Sequence, residues 1–161
     1  CKLIKPEKKM KSEVAKCAAE IRKILKARNI KASVRSEQYS MGNNVNVEIK
    51  EIIDPEIYKA LEAELAKYQY GHFNGMEDIY EYSNNLEGIP QTKFLFIKYD
   101  WRMQDAVLLE IEEFLKDKIE FNNDNCPNPD YEYKRLAGDV LMGRCDWVKW
   151  EEVKNAIKEA A

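Results

Sequence analysis

No run in this chain approaches the roughly 18 apolar residues that a membrane-spanning helix needs, so a spanning role is not expected. The chain has little histidine: His72 is the only one, and it lies at no metal-ligand spacing from Cys1, Cys17, Cys126 or Cys145. No two of these cysteines form C-x-x-C, so a zinc site is not expected and nothing requires a disulfide. G-x-S-x-G, H-E-x-x-H, G-x-G-x-x-G and the P-loop pattern are all missing, which weakens an enzymatic reading. No internal repeat or low-complexity tract is present. The basic start leads into a charged helical pattern and not into an apolar h-region, so no secretory signal is read. These absences give the expectation of a cytoplasmic protein with no cofactor, no metal and no membrane partner.

What is present suits a globular fold. The 161 residues are 45% hydrophobic, enough for one domain with a sizeable core. The net charge of −3 hides an asymmetry. Residues 1–36 carry 12 basic side chains against three glutamates, a net +9, and the remainder carries 14 basic and 26 acidic, a net −12. A basic first quarter can be a polyanion-binding surface. It can equally be a solvated helix face that complements an acidic body.

The pattern from about Glu7 to Arg28 is helical, with Val14, Cys17, Ala18, Ile21, Ile24 and Leu25 on one stripe. Cys17 falls on that stripe and reads as a small core residue. Asn29 suits the helix end. The period then becomes two. Ala32–Val34–Ser36 and Val45–Val47–Ile49 alternate with polar residues on either side of Gly42-Asn43-Asn44. This predicts a hairpin with a turn longer than two residues, its Val/Ile face laid on the first helix. Asp54 and Pro55 open a second helix, which Gly71 ends. Asp78–Ser83 alternates as a third strand, and Phe94–Ile97, apolar on both faces, suits a central strand. Further helices are expected over Met103–Phe121, over Tyr131–Met142, and after a capping Asp146, the last with Trp147 and Trp150 on one side. The order α-β-β-α-β-β-α plus C-terminal helices predicts an α+β fold, with a three- or four-stranded antiparallel sheet and helices packed on one face. The loop NNDNCPNPD separates an expected core (1–124) from a helical extension (125–161) packed on it.

Several residues are candidates for chemistry or binding. His72 can act as a general base near neutral pH, or simply hydrogen-bond within a loop. Glu77 and Asp78, with Asn74, can hold a cation or act as acid and base. Neighbouring strand residues point to opposite faces, however, so this pair would not share a site in extended structure. Asp78 can instead cap the turn backbone. Arg35, Ser36, Tyr39, Ser40 and the amides near Gly42 form a tip able to hold a phosphate, though the same residues are ordinary turn formers. Tyr68, Tyr70, Phe73, Tyr80 and Tyr82 cluster in sequence. They can stack on bases from a solvated sheet face, or pack under helices.

Two stretches together resemble a known family. SVRSEQYSMGNNVNVEI (Ser33–Ile49) and GHFNGMEDIYEY (Gly71–Tyr82) are similar to the large polyvalent protein associated domain, number 29 in its series. Its members carry a basic hairpin of the form S-V-R-S-x-x-Y-S-x-G and a later loop close to F-D-G-M-x-D-x-Y. Phe73, Gly75, Met76, Asp78 and Tyr80 match that loop, and Asn74 stands where the family usually has Asp. The resemblance covers roughly residues 12 to 100. It implies a setting in phage and conjugative-element proteins, and a role in protecting or handling incoming DNA. It brings no reaction to carry over. It marks the matched polar positions Arg35, Ser36, Tyr39, Asp78 and Tyr80 as site candidates. For the loop itself, Gly75 is expected to supply a sharp or left-handed turn. Phe73 and Met76 are expected to anchor it to the core.

The leading expectation is a non-enzymatic binding module of a mobile element. Lys16, Lys23, Arg35, Ser36, Tyr39, Ser40, His72, Asp78 and Tyr80 would contact nucleic acid or an acidic protein surface. The alternatives are a phosphodiester hydrolase with His72 and Asp78 in one cleft, and a protein-interaction subunit using the Trp147/Trp150 helix. The oligomeric state is open.

Overall fold

The computed structural model describes residues 11–160. It is α+β, with α1 (Glu13–Ala27), β1 (Ala32–Tyr39), β2 (Gly42–Ile49), α2 (Pro55–Leu65), a 3-10 turn (Ala66–Tyr68), β3 (His72–Asn74), β4 (Ile79–Glu81), β5 (Phe94–Tyr99), α3 (Trp101–Lys118), α4 (Pro129–Leu141) and α5 (Trp150–Ala160). There are two sheets: a three-stranded one in the order β1-β2-β5, and a separate antiparallel pair, β3-β4.

The chain groups into two compact units. One is built by the chain up to Val47 together with Leu65–Ile97, the other by Glu48–Glu64 together with the chain from Lys98 onward. In the first unit, Ser12 caps α1 by accepting from the Ala15 amide at 3.3 Å. The helix therefore starts at Glu13; the expected turn over residues 7–10 lies outside the described residues, as does Cys1. Asn29 takes the left-handed conformation just past the helix end, φ 55°. The α1 stripe packs on β1, and Val14, Cys17, Ala18, Ile21 and Leu25 are buried with Val34, Val45 and Val47. Arg22 ties helix to strand, its Nη2 donating to the Val34 carbonyl at 2.7 Å.

In the second unit α3 packs on α4 and α5. Asp100 caps α3 through the Arg102 and Met103 amides and pairs with Lys50 at 2.8 Å. The Lys50 ammonium is the main reason the Asp100 carboxyl titrates below its usual range. Asp54 sits at the start of α2, where its carbonyl accepts from the Tyr58 amide. Its carboxylate accepts from Trp150 Nε1 at 2.8 Å and Lys154 Nζ at 3.3 Å.

Several expectations need correction. The connection between β1 and β2 is the two residues Ser40 and Met41, shorter than expected. β3 is an additional strand, and β2, not β5, is central in the larger sheet. α5 begins at Trp150, so Asp146 does not cap it and Trp147 is not part of it. Trp147 is 62% exposed, and Val153 of α5 is buried.

Candidate functional site

All nine residues singled out from the sequence fall in the first unit, but on two sides of its sheet. Side chains alternate along a strand. Val34, Val45 and Val47 are buried on the α1 side, so Arg35 and Tyr39 on β1, and Asn44 and Asn46 on β2, occupy the opposite, open face. Lys16 and Lys23 lie on the exposed outer side of α1, where with Lys11 and residues 88–90 they line a shallow groove of about 450 Å³. Lys16 is paired there with Glu13 at 3.0 Å. The helix lysines and Arg35 therefore do not form one continuous face. Ser36 shares the Val34 side and is half-buried, while Ser40 is exposed in the turn.

The Gly71–Tyr82 stretch folds into the β3-β4 hairpin, with His72 opposite Glu81, Phe73 opposite Tyr80 and Asn74 opposite Ile79. Gly71 is required by close packing: a Cβ there would stand 2.0 Å from the Glu81 carbonyl oxygen and 2.6 Å from the Tyr80 ring. The left-handed residue of the turn is Asp78 (φ 54°), and Gly75 does not take a positive φ. Asn74 organises the turn, accepting from the Met76 amide at 3.0 Å and donating to Glu81 Oε1 at 2.8 Å. Phe73 and Met76 do not anchor the loop; they are 54% and 97% exposed.

His72 is bonded across the same hairpin, Nδ1 to Ser83 Oγ at 2.9 Å and Nε2 to Glu81 Oε2 at 3.1 Å. Asp78 is at the far end of the pair, so the hairpin register separates these two. Ser83, His72 and Glu81 carry the residue types of a nucleophile relay. The imidazole and the carboxylate are both open to water, without the dry, low-dielectric enclosure that gives such groups catalytic force. Among the described residues no group of three His, Cys, Asp or Glu is placed to hold a metal ion.

The hairpin tip and the Gly71–Tyr82 stretch meet at Lys93. Its amide donates to Asn43 Oδ1 at 2.8 Å, its carbonyl accepts from Tyr80 Oη at 2.5 Å, and its ammonium donates to the Met41 carbonyl at 3.0 Å. The same ammonium stands 5.0 Å from the Tyr80 ring centre and 5.7 Å from that of Phe94. Thr92, fully buried, supports the joint by donating to Asn43 Oδ1 at 2.9 Å.

Around Lys93 lies a connected aromatic cluster. Phe94 and Phe96 are parallel within 8°, and so are Tyr70 and Tyr82. Tyr80 meets Phe94, Tyr70 and Tyr82 edge-on at 5.4, 5.9 and 5.2 Å. Burial among these rings pushes the Tyr80 phenol up to about 12, with smaller contributions from Tyr70 and Tyr82. Tyr70 is shifted in the same direction, again mainly by burial. The aromatic run in the sequence named three of its five rings, Tyr70, Tyr80 and Tyr82. Lys93, Asn43, Phe94 and Phe96 carried no such signal.

The fold and this surface define a two-unit α+β protein with an open sheet face next to an aromatic cluster and Lys93. Residues 12–106 match the large polyvalent protein associated domain 29. The match covers more than half of the chain, and the protein belongs to that family. No curated protein and no solved structure gives a significant match. Among the described residues, no helix is long and apolar enough to cross a membrane.

Proposed function

We propose that this protein is a non-enzymatic nucleic-acid-binding module of a mobile genetic element, acting through the open face of the β1-β2 hairpin and the Lys93 joint. The observation that carries the reading is the meeting of the two family-matching stretches at one cationic residue on a solvent-facing sheet. Charge supports it. Sequence positions 1–47 and 65–97 hold 14 basic and eight acidic residues, a net +6, and the remaining positions hold 12 and 21, a net −9. Four of the basic residues precede position 11. A polyanion is attracted to the first set and repelled by the second. Family membership supports the mobile-element setting.

Fluorescence anisotropy of the whole protein with labelled oligonucleotides, at two salt concentrations, tests the reading. Binding should weaken steeply with salt, because neutralised phosphates release counterions. Arg35→Glu should weaken it strongly and Lys23→Glu, on the far side of α1, only slightly. Absence of binding at low salt refutes the proposal and leaves an acidic protein surface as the ligand to pursue.

A further inference from the structure

We infer that the open face takes nucleic acid as a single strand, whose unpaired bases stack on the outer rings of the two parallel aromatic pairs. This rests on the nucleic-acid reading above and specifies its ligand. The outer member of each pair is the exposed one: Phe96 at 47% and Tyr82 at 63%. Their partners Phe94 and Tyr70 are half-buried and fix the ring planes. Phe96, on β5, and Tyr82, directly after β4, are thus the rings of the cluster most open to solvent. Centroid steps of 6.0, 5.4 and 5.2 Å, through Phe94 and Tyr80, link the two rings.

The chemistry selects the ligand. A base stacks on a ring only when its own face is uncovered, which a duplex denies and a single strand permits. Lys93, between the pairs, supplies the cation that a connecting phosphate requires. The asparagines at the start of β2 are tied into hydrogen bonds of their own. Asn44 Nδ2 donates to Glu37 at 3.3 Å, Asn46 Nδ2 to Asn44 Oδ1 at 3.0 Å, and Asn43 Oδ1 accepts from Thr92 and Lys93. Base faces and phosphates are common to DNA and RNA single strands, so the two should bind alike.

The experiment compares four labelled probes of equal length on the whole protein at low salt: a DNA single strand, its RNA counterpart, the DNA duplex, and an abasic strand with the same phosphates. The DNA and RNA strands should bind within about threefold of each other and at least tenfold tighter than the duplex and the abasic strand. Phe96→Ala and Tyr82→Ala, at exposed positions, should each weaken single-strand binding roughly five- to a hundredfold. Phe96→Trp should restore it, and the salt dependence should not change. Equal binding of all four probes, with no effect of the ring variants, overturns the stacking inference and leaves the nucleic-acid reading standing. Binding of none of them overturns both.

Discussion

Asn43→Ala tests the joint that holds the hairpin tip to the aromatic cluster. The Asn43 side-chain oxygen accepts two hydrogen bonds, from the Lys93 amide at 2.8 Å and the Thr92 hydroxyl at 2.9 Å. A hydrogen bond contributes about 0.5–1.5 kcal/mol net, and an orphaned buried donor costs about 1–3 kcal/mol. The two donors differ in what remains to them. The Thr92 hydroxyl has a second acceptor, the Phe94 carbonyl at 3.3 Å, and can turn to it. The Lys93 amide is a backbone donor in a fixed direction and cannot. The expected loss is therefore about 2 kcal/mol, most of it from one amide, and not the sum of two full penalties. Asn43→Asp keeps the acceptor oxygen and should lose much less. The chain has two compact units, so a global transition can blur a local change. Hydrogen exchange at the Lys93 amide reads the site directly. Exchange should accelerate by roughly thirtyfold in Asn43→Ala, the equivalent of about 2 kcal/mol, and little in Asn43→Asp. Unchanged exchange in the alanine variant, or equal loss in both, would refute the role given to this oxygen.

Gly71→Ala should cost about 1–3 kcal/mol, because its Cβ meets a backbone oxygen that moves only if β3 and β4 part; Gly138→Ala, with open space around it in α4, should be neutral or slightly stabilising. Urea midpoints of the two variants check this, and an undisturbed Gly71→Ala would contradict the packing. Alkaline pH should destabilise the fold in a defined window. Burial raises the Tyr58 and Tyr80 phenols to about 12, against about 10 in an unfolded chain. The unfolded state thus loses these protons first. The stabilisation is intact below about pH 10 and disappears as pH rises towards 12. Phenolate absorbance should show these tyrosines titrating late while the fold persists; nine tyrosines titrating together near pH 10 in a folded protein would contradict it.

The parts of the fold legible in the sequence are those whose signal is local. The α1 stripe repeats at helical spacing because each turn packs on the same neighbours, and Cys17, on that stripe, is a core thiol whose burial raises it to about 12. The alternation of Val45, Val47 and Ile49 marks β2 for the same reason. β3 has no such mark. His72, Phe73 and Asn74 bury no apolar face, and the strand is held by its pairing and by the Asn74–Glu81 and His72–Ser83 contacts. Trp147 misleads for the opposite reason: its three-residue spacing from Trp150 imitates a helical stripe, while the helix starts only at Trp150.

The site divides along the same line. Arg35, Tyr39 and Tyr80 are visible because they stand in patterned stretches. Lys93 is a lone lysine between a threonine and a phenylalanine, and its meaning comes from partners 50 and 52 positions upstream. The charge pattern shows the same limit. A count over the first 36 residues pools α1 with Arg35, whereas strand alternation sets Arg35 on the open face, across the sheet from that helix, and the contacts of Lys93 set it beside the aromatic rings. On the proposed reading, composition points to a polyanion, and strand alternation to the side of the sheet that would meet it. A ligand held by the α1 lysines would be a duplex or any other polyanion, since that side offers charge without rings. A ligand held on the open face meets rings and a cation together, and that combination distinguishes a strand with uncovered bases from a phosphate backbone alone.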